Sequence, residues 1–144
     1  VLAAAAELSP LSRDQRAAVV ECAARALVTP RGLRTLSPLD PAYRGRYAGG
    51  LLERDGAYHQ GTVWGWLLGL FVMAHVRVFN DPGAARAFLL PMAHHVAAYG
   101  LGTLGEIFDG DPPHTPRGSI AQAWTVAEVL RAWLATEPHR RITK

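Results

Sequence analysis

The run GTVWGWLLGLFVMAHVRVF, Gly61–Phe79, decides how this chain folds. Apolar residues occupy nearly every side of a helical wheel drawn through it. The helix expected from about Gly61-Thr62 to Phe79 is therefore buried all round and needs other helices to cover it. Its longest apolar part, Val63–Val76, is interrupted by Gly65, Gly69 and His75, and Arg77 follows at once. That falls short of the ~20 uninterrupted apolar residues of a bilayer span, so no membrane association is expected.

Working outward, the covering helices announce themselves by their ends. Ser12 precedes Arg13-Asp14-Gln15, an N-cap with Gln15 in the capping-box position. Ala18, Val19, Cys22, Ala23, Ala26 and Leu27 follow at helical spacing, and Thr29-Pro30 with Gly32 ends the helix. Asp81 and Pro82 open a further helix as N-cap and first residue. It runs through Ala84–Tyr99 to Gly100 or Gly102, and Pro91 predicts a kink near Ala87–Leu90. A last helix, Ser119 to about Thr136, is read with Ile120, Trp124, Ala127, Leu130 and Leu134 inward and Glu128 and Arg131 outward; Pro138 stops it. No run alternates with period 2, and Leu33–Leu36 is at most a short edge piece. The expectation is an all-α fold of about four main helices with long loops at one end. Residues 30–60 and 102–118 form those loops, and long loops in a compact domain are commonly functional.

Bulk properties narrow the function. A chain of 144 residues with 49% hydrophobic and 19% charged side chains is long and apolar enough for one packed domain. The net charge of +3 comes from scattered Arg and from the tail His139–Lys144, which reads as a solvated terminus. Without a basic stripe, nucleic acid is not an expected partner. No P-loop, GxGxxG or GxSxG pattern occurs. The single cysteine, Cys22, excludes an internal disulfide framework and a Cys-based zinc site; among Val19, Val20, Ala23 and Ala24 it is expected to be buried. A reducing, cytoplasmic setting fits. The His residues are scattered or, like His94-His95, adjacent and divergent, so no metal and no cofactor is expected. The start, Val1-Leu2-Ala3-Ala4-Ala5-Ala6-Glu7, has no basic n-region of a signal peptide and reads as the inside of a longer chain.

Three stretches carry chemistry. Gly102–Asp111 puts Glu106, Asp109 and Asp111 within six positions. Glycoside hydrolysis needs two carboxyl groups flanking the sugar, and Leu104, Ile107 and Phe108 give Glu106 a semi-apolar setting. Asp109-Gly110-Asp111-Pro112 is equally ordinary turn chemistry. Tyr58-His59-Gln60-Gly61-Thr62-Val63-Trp64-Gly65-Trp66 combines rings that stack on sugar CH faces with groups that bond hydroxyls. Trp64 and Trp66, two apart, cannot both face one way on a helix, so at least one belongs to the core. Arg44-Gly45-Arg46-Tyr47 offers forks for vicinal hydroxyls, or is a plain surface loop. Gln122 and Trp124 lie close enough to reach the same pocket, though Trp124 alone reads as core.

In their order, LRTLSPLDPAYRGRYAGG, RDGAYHQGTVWGWLLG and LGTLGEIFDGDPPHTPRGSIAQAWTVAEVLRAW resemble the glycogen-debranching amylo-α-1,6-glucosidase family over about Leu27–Trp133. That family is related to the glucoamylases. The resemblance implies a segment, residues 1–144, of an (α/α)6 toroid and inverting removal of α-1,6-linked glucose. It makes Glu106-Ile107-Phe108-Asp109 the Glu-x-x-Asp segment, with Glu106 as general base and Asp109 orienting Glu106 or the sugar. It selects Arg46 against glucose hydroxyls, and His59, Gln60 and Trp66 as pocket lining. Tyr58, Trp64 and Trp124 join the substrate-binding set. The chain departs from the family at Gly65, where Pro is usual, and at Ser119, where Cys is usual. No match to the general acid occurs, and four helices are too few for a twelve-helix ring. The expected partners are glycogen or a branched α-glucan and the remainder of the parent catalytic domain. The alternatives are an inactive carbohydrate-binding fragment, or a helical interaction fragment that presents Thr62–Val78.

Overall fold

The computed structural model of the chain describes residues 1–138; the tail His139–Lys144, read above as a solvated terminus, lies outside the described residues. Helices make up about half of it: α1 (Leu2–Ala5), α2 (Arg13–Ala26), α3 (Leu51–Ala57), α4 (Trp66–Phe79), α5 (Pro82–Ala87), α6 (Leu90–Ala98) and α7 (Ala123–Ala135). Helix α4 is the hub. Leu68, Gly69, Phe71, Val72, Ala74 and Val78 on it are buried, and α1, α2, α5 and α7 all pack on it. The apolar wheel of Gly61–Phe79 is thus satisfied inside the molecule and does not form an exposed partner surface.

The all-α expectation is corrected. Five short strands, β1 (Val28–Thr29), β2 (Gly32–Arg34), β3 (Val63–Trp64), β4 (Ile107–Phe108) and β5 (Pro116–Arg117), form one antiparallel sheet in sequence order. Each strand is two or three residues long, too short to display an alternation of inward and outward side chains. The edge piece anticipated at Leu33–Leu36 overlaps β2, which is paired on both sides. The sheet also takes Val63-Trp64 out of the long helix, which starts at Trp66 instead of Gly61.

Where ends are encoded locally, the structure follows the sequence. The Ser12 hydroxyl accepts from the Gln15 amide at 3.2 Å, and the Gln15 side chain accepts from the Ser12 amide at 2.9 Å. Asp81 accepts from the Ala84 amide at 2.9 Å to cap α5. The kink expected from Pro91 is a full break at Phe88-Leu89, with the proline in the first turn of α6.

Two burial expectations are overturned. Cys22 is exposed, because the inward stripe of α2 runs through Val19, Val20, Ala23 and Leu27 and leaves Ala18 and Cys22 outside. On α7 the inward stripe is Thr125, Val129, Ala132 and Thr136. The large residues assigned to the core face outward: Ile120 is 56%, Trp124 64%, Leu130 53% and Leu134 59% exposed. Close approach explains the inversion. A Cβ on Gly69 would fall on the backbone carbonyl of Glu128, and one on Gly65 would lie 2.6 Å from the Thr125 methyl. Helices this near each other admit only small side chains between them.

Gly69→Ala is expected to force α4 and α7 apart and to cost about 1–3 kcal/mol, the usual range for overpacking. Gly83→Ala, in α5 with a single neighbour at 3.4 Å, should be neutral or stabilising by ~0.5–1 kcal/mol. Thermal unfolding of the two variants beside the parent chain checks both.

Candidate active site

The sheet delivers Glu106. In the β3–β4 pair Trp64 lies opposite Ile107, and in the β4–β5 pair Ile107 lies opposite Arg117. Glu106 is therefore the residue just before β4, with Gly65 on one side and Gly118-Ser119 on the other. The Gly65 amide donates to the Glu106 carbonyl at 3.3 Å, and the Glu106 amide donates to the Ser119 carbonyl at 3.0 Å. The carboxylate is held as firmly as the backbone. Its Oε2 accepts from the Ser119 amide at 2.8 Å, and its Oε1 accepts from the Tyr58 hydroxyl at 2.7 Å. Gly118, at φ +63°, gives the carboxylate room: a Cβ there would sit 2.5 Å from Oε2.

Tyr58 is itself boxed in. Its ring lies 4.8 Å from Trp64, 4.8 Å from His59 and 5.6 Å from Tyr47, centroid to centroid. His59 stacks on Trp64 with an interplanar angle of 6°. The Trp64 indole donates to the Tyr58 carbonyl at 3.1 Å, and Trp64 is only 8% exposed. Trp64 is thus the core anchor that the pair of tryptophans required. Burial, and then the hydrogen bond to Glu106, pushes the Tyr58 phenol up to about 12 from its ordinary 10.0.

Asp109 is buried and not solvated. It takes a two-pronged hydrogen bond from Arg117, at 3.0 Å from Nη2 and 3.2 Å from Nε, and accepts from the Tyr47 amide at 2.9 Å. Its carboxylate therefore fixes two other parts of the site: the Arg117 guanidinium and the loop carrying Arg46 and Tyr47. The Asp111 carboxylate accepts from the Tyr43 hydroxyl at 3.0 Å. A polar cleft of about 350 Å³ is lined by Tyr47, Ala48, Gly49, Arg54, Arg117 and Gly118. Because Gly118 touches both the cleft and Oε2, Glu106 stands at its edge.

The remaining candidates divide among separate places. Arg46 is exposed beside the cleft residue Tyr47, and His59 is exposed at the outer side of Tyr58. Gln60 lines a different depression, with Pro41, Tyr43, Arg44 and Gly56. Trp66 and Trp124 meet edge to face at 5.9 Å and border a groove with Ala127 and Glu128. Trp66 follows Gly65, whose amide bonds the Glu106 carbonyl, so this pair adjoins Glu106 without lining the same cleft.

The sequence motifs contained Tyr47, Arg54 and Arg117, but none of the three was assigned a role in the site. Arg54 belongs to α3, which the glycine-rich stretch concealed. The signal for Arg117 is its pairing with a buried Asp eight residues earlier across a hairpin, a register that only the folded sheet shows.

No helix of the described residues is long and apolar enough to cross a membrane, and no group of three or more His, Cys, Asp or Glu among them is placed to hold a metal ion. A carboxylate fixed by two donors beside aromatic rings and arginine forks is suited to a neutral, hydroxyl-rich molecule, the class of ligand on which glycosidases act. Comparison with known families agrees. A family model described as amylo-alpha-1,6-glucosidase matches residues 1–131, and the chain belongs to that family. It is a glycosidase-related region of the glycogen-debranching type.

The raised phenol has a measurable consequence. A Tyr whose folded pKa exceeds its unfolded value lends stability that is complete below the unfolded pKa and is lost as pH rises through the folded one. The chain is therefore expected to lose stability between pH 10 and about 12 through Tyr58. Tyr58→Phe should flatten the profile in that window, as read by denaturant unfolding across the alkaline range.

Proposed function

We propose that this chain supplies the general base of an inverting α-1,6-glucosidase acting on glycogen or another branched α-glucan, and that Glu106 is that base. The observation that carries the reading is the bracketing of the Glu106 carboxylate by the Tyr58 hydroxyl and the Ser119 amide at the edge of the arginine-lined cleft. Each oxygen accepts one hydrogen bond and keeps acceptor capacity for water. A water held there loses a proton to Glu106 as its oxygen attacks the anomeric carbon. The C–O bond to the branch-point sugar breaks on the opposite face, and the leaving oxygen takes its proton from a general acid.

Within this reading Tyr58 is a positioning residue, since its hydroxyl is committed to Glu106. Asp109 acts likewise, through Arg117 and Tyr47. Arg46, His59 and Trp66 form the near rim for the sugar. Trp124 and Gln60 lie farther out, where further glucose units pass. The sequence carries no match to the family's general-acid segment, so in this reading the acid comes from the remainder of the catalytic domain; Glu53, which abuts the cleft residue Gly49, is the other carboxylate near the cleft. The outward apolar face of α7, with Val126, Leu130 and Leu134 exposed, supports that domain reading. An uncovered apolar stripe this long calls for a packing partner, and further helix pairs of a toroid would cover it.

A binding-only module is the competing reading, and one substitution separates the two. In the active enzyme that contains this chain, Glu106→Gln should abolish glucose release from a branched dextrin while keeping most of the sugar affinity. Turnover like that of the wild type in this variant refutes Glu106 as base. Loss of glucose release in Glu106→Gln with sugar affinity retained excludes the binding-only module.

A further inference from the structure

We propose that Arg117 is a specificity-determining residue that grips two adjacent hydroxyls of the glucose unit attacked at Glu106. This rests on the general-base reading above, and the side of the guanidinium left open decides it. A guanidinium carries five N–H donors in one plane. Asp109 engages the edge formed by Nε and Nη2, at 3.2 and 3.0 Å. Among the described residues nothing engages the two N–H groups of Nη1 or the second N–H of Nη2. The end of the fork is thus a ready pair of parallel donors, and a vicinal diol is a neutral partner that offers two acceptor oxygens side by side.

The fork is aimed before any ligand arrives. The side chain of Asp109 is 7% exposed and that of Arg117 39% exposed, so the acid is sunk in the protein while the base reaches the surface. Asp109 also accepts from the Tyr47 amide. The arginine and the aromatic ring of the cleft wall are therefore positioned by one buried carboxylate. Pairing with Asp109 also offsets the charge of Arg117, which suits an uncharged sugar. Arg117 lines the cleft together with Gly118, and Gly118 abuts the Glu106 carboxylate. The proposal therefore places the diol and the attacked carbon on one sugar ring.

The test is binding of glucose and of its 2-, 3-, 4- and 6-deoxy derivatives to the active enzyme that contains this chain, followed by titration calorimetry, for the parent and for Arg117→Ala. Losing a charge-assisted pair should weaken glucose binding about tenfold or more. The deoxy sugars that lack either gripped hydroxyl should bind parent and variant nearly alike, while the others lose as much as glucose does. A merely structural role would weaken every sugar equally, and that result overturns the proposal. Unchanged glucose affinity in the folded variant overturns it as well. Arg117→Lys keeps the charge and the stem but not the fork, and the same pattern is expected from it, so the test stands even where the alanine variant folds poorly. The outcome is independent of Glu106→Gln. A selective loss with hydrolysis surviving in Glu106→Gln removes the base and keeps the diol contact, and an unselective loss with hydrolysis abolished does the reverse.

Discussion

Helix α4 is apolar on every side, and burying it requires neighbours in contact with its backbone as well as its side chains. Gly65 and Gly69 make that possible on one face, where the backbone of α7 lies against them. Once α7 is seated there, its small residues must point inward and its large ones outward. The segment leading into α4 is also fixed, because β3 ends one residue before Gly65. The sheet is then extended from β3 to β4, and Glu106 is placed by the packing of a helix it does not belong to.

The site follows from that placement. β4 brings Glu106 and Asp109 in one hairpin, and the two carboxylates have different roles because their surroundings differ. Glu106 lies at the edge of the cleft with one hydroxyl and one amide as partners. Asp109 is buried, and a guanidinium and an amide occupy it. Under the proposed mechanism, one carboxylate with rigid support receives a proton and a second organises the sugar contacts, which would let a small sheet serve glycoside chemistry on a mostly helical frame.

Much of this was legible in the sequence. Capping at Ser12 and Asp81 and the break enforced by Pro91 are local effects, and the residues that produce them are adjacent in the chain. Glu106 was singled out from its motif, and the structure brings it together with Tyr58, His59 and Trp64. The strands were not legible, since two or three residues carry no period. The orientation of α7 was misread because apolar size was taken as a sign of burial, whereas the packing against Gly69 selects for smallness. Cys22 failed because apolar neighbours alone do not bury a position: the inward stripe of α2 runs through Val20 and Ala23 and leaves Cys22 facing out. Arg117 was invisible because its meaning lies in a cross-hairpin pair. The Tyr58 hydroxyl donates to Glu106, a partner its motif did not show.

Glu106 acting as a base on water fixes the stereochemistry of a single bond. A water activated by Glu106 must approach from the face opposite the leaving oxygen, so hydrolysis of an α-1,6-linked glucose must first yield the β anomer. Proton NMR of the product, recorded before mutarotation, reads this directly in the active enzyme that contains the chain. An initial β-glucose signal that decays toward the equilibrium mixture is the predicted result. Initial α-glucose would mean retention, and would contradict Glu106 as a base acting on water.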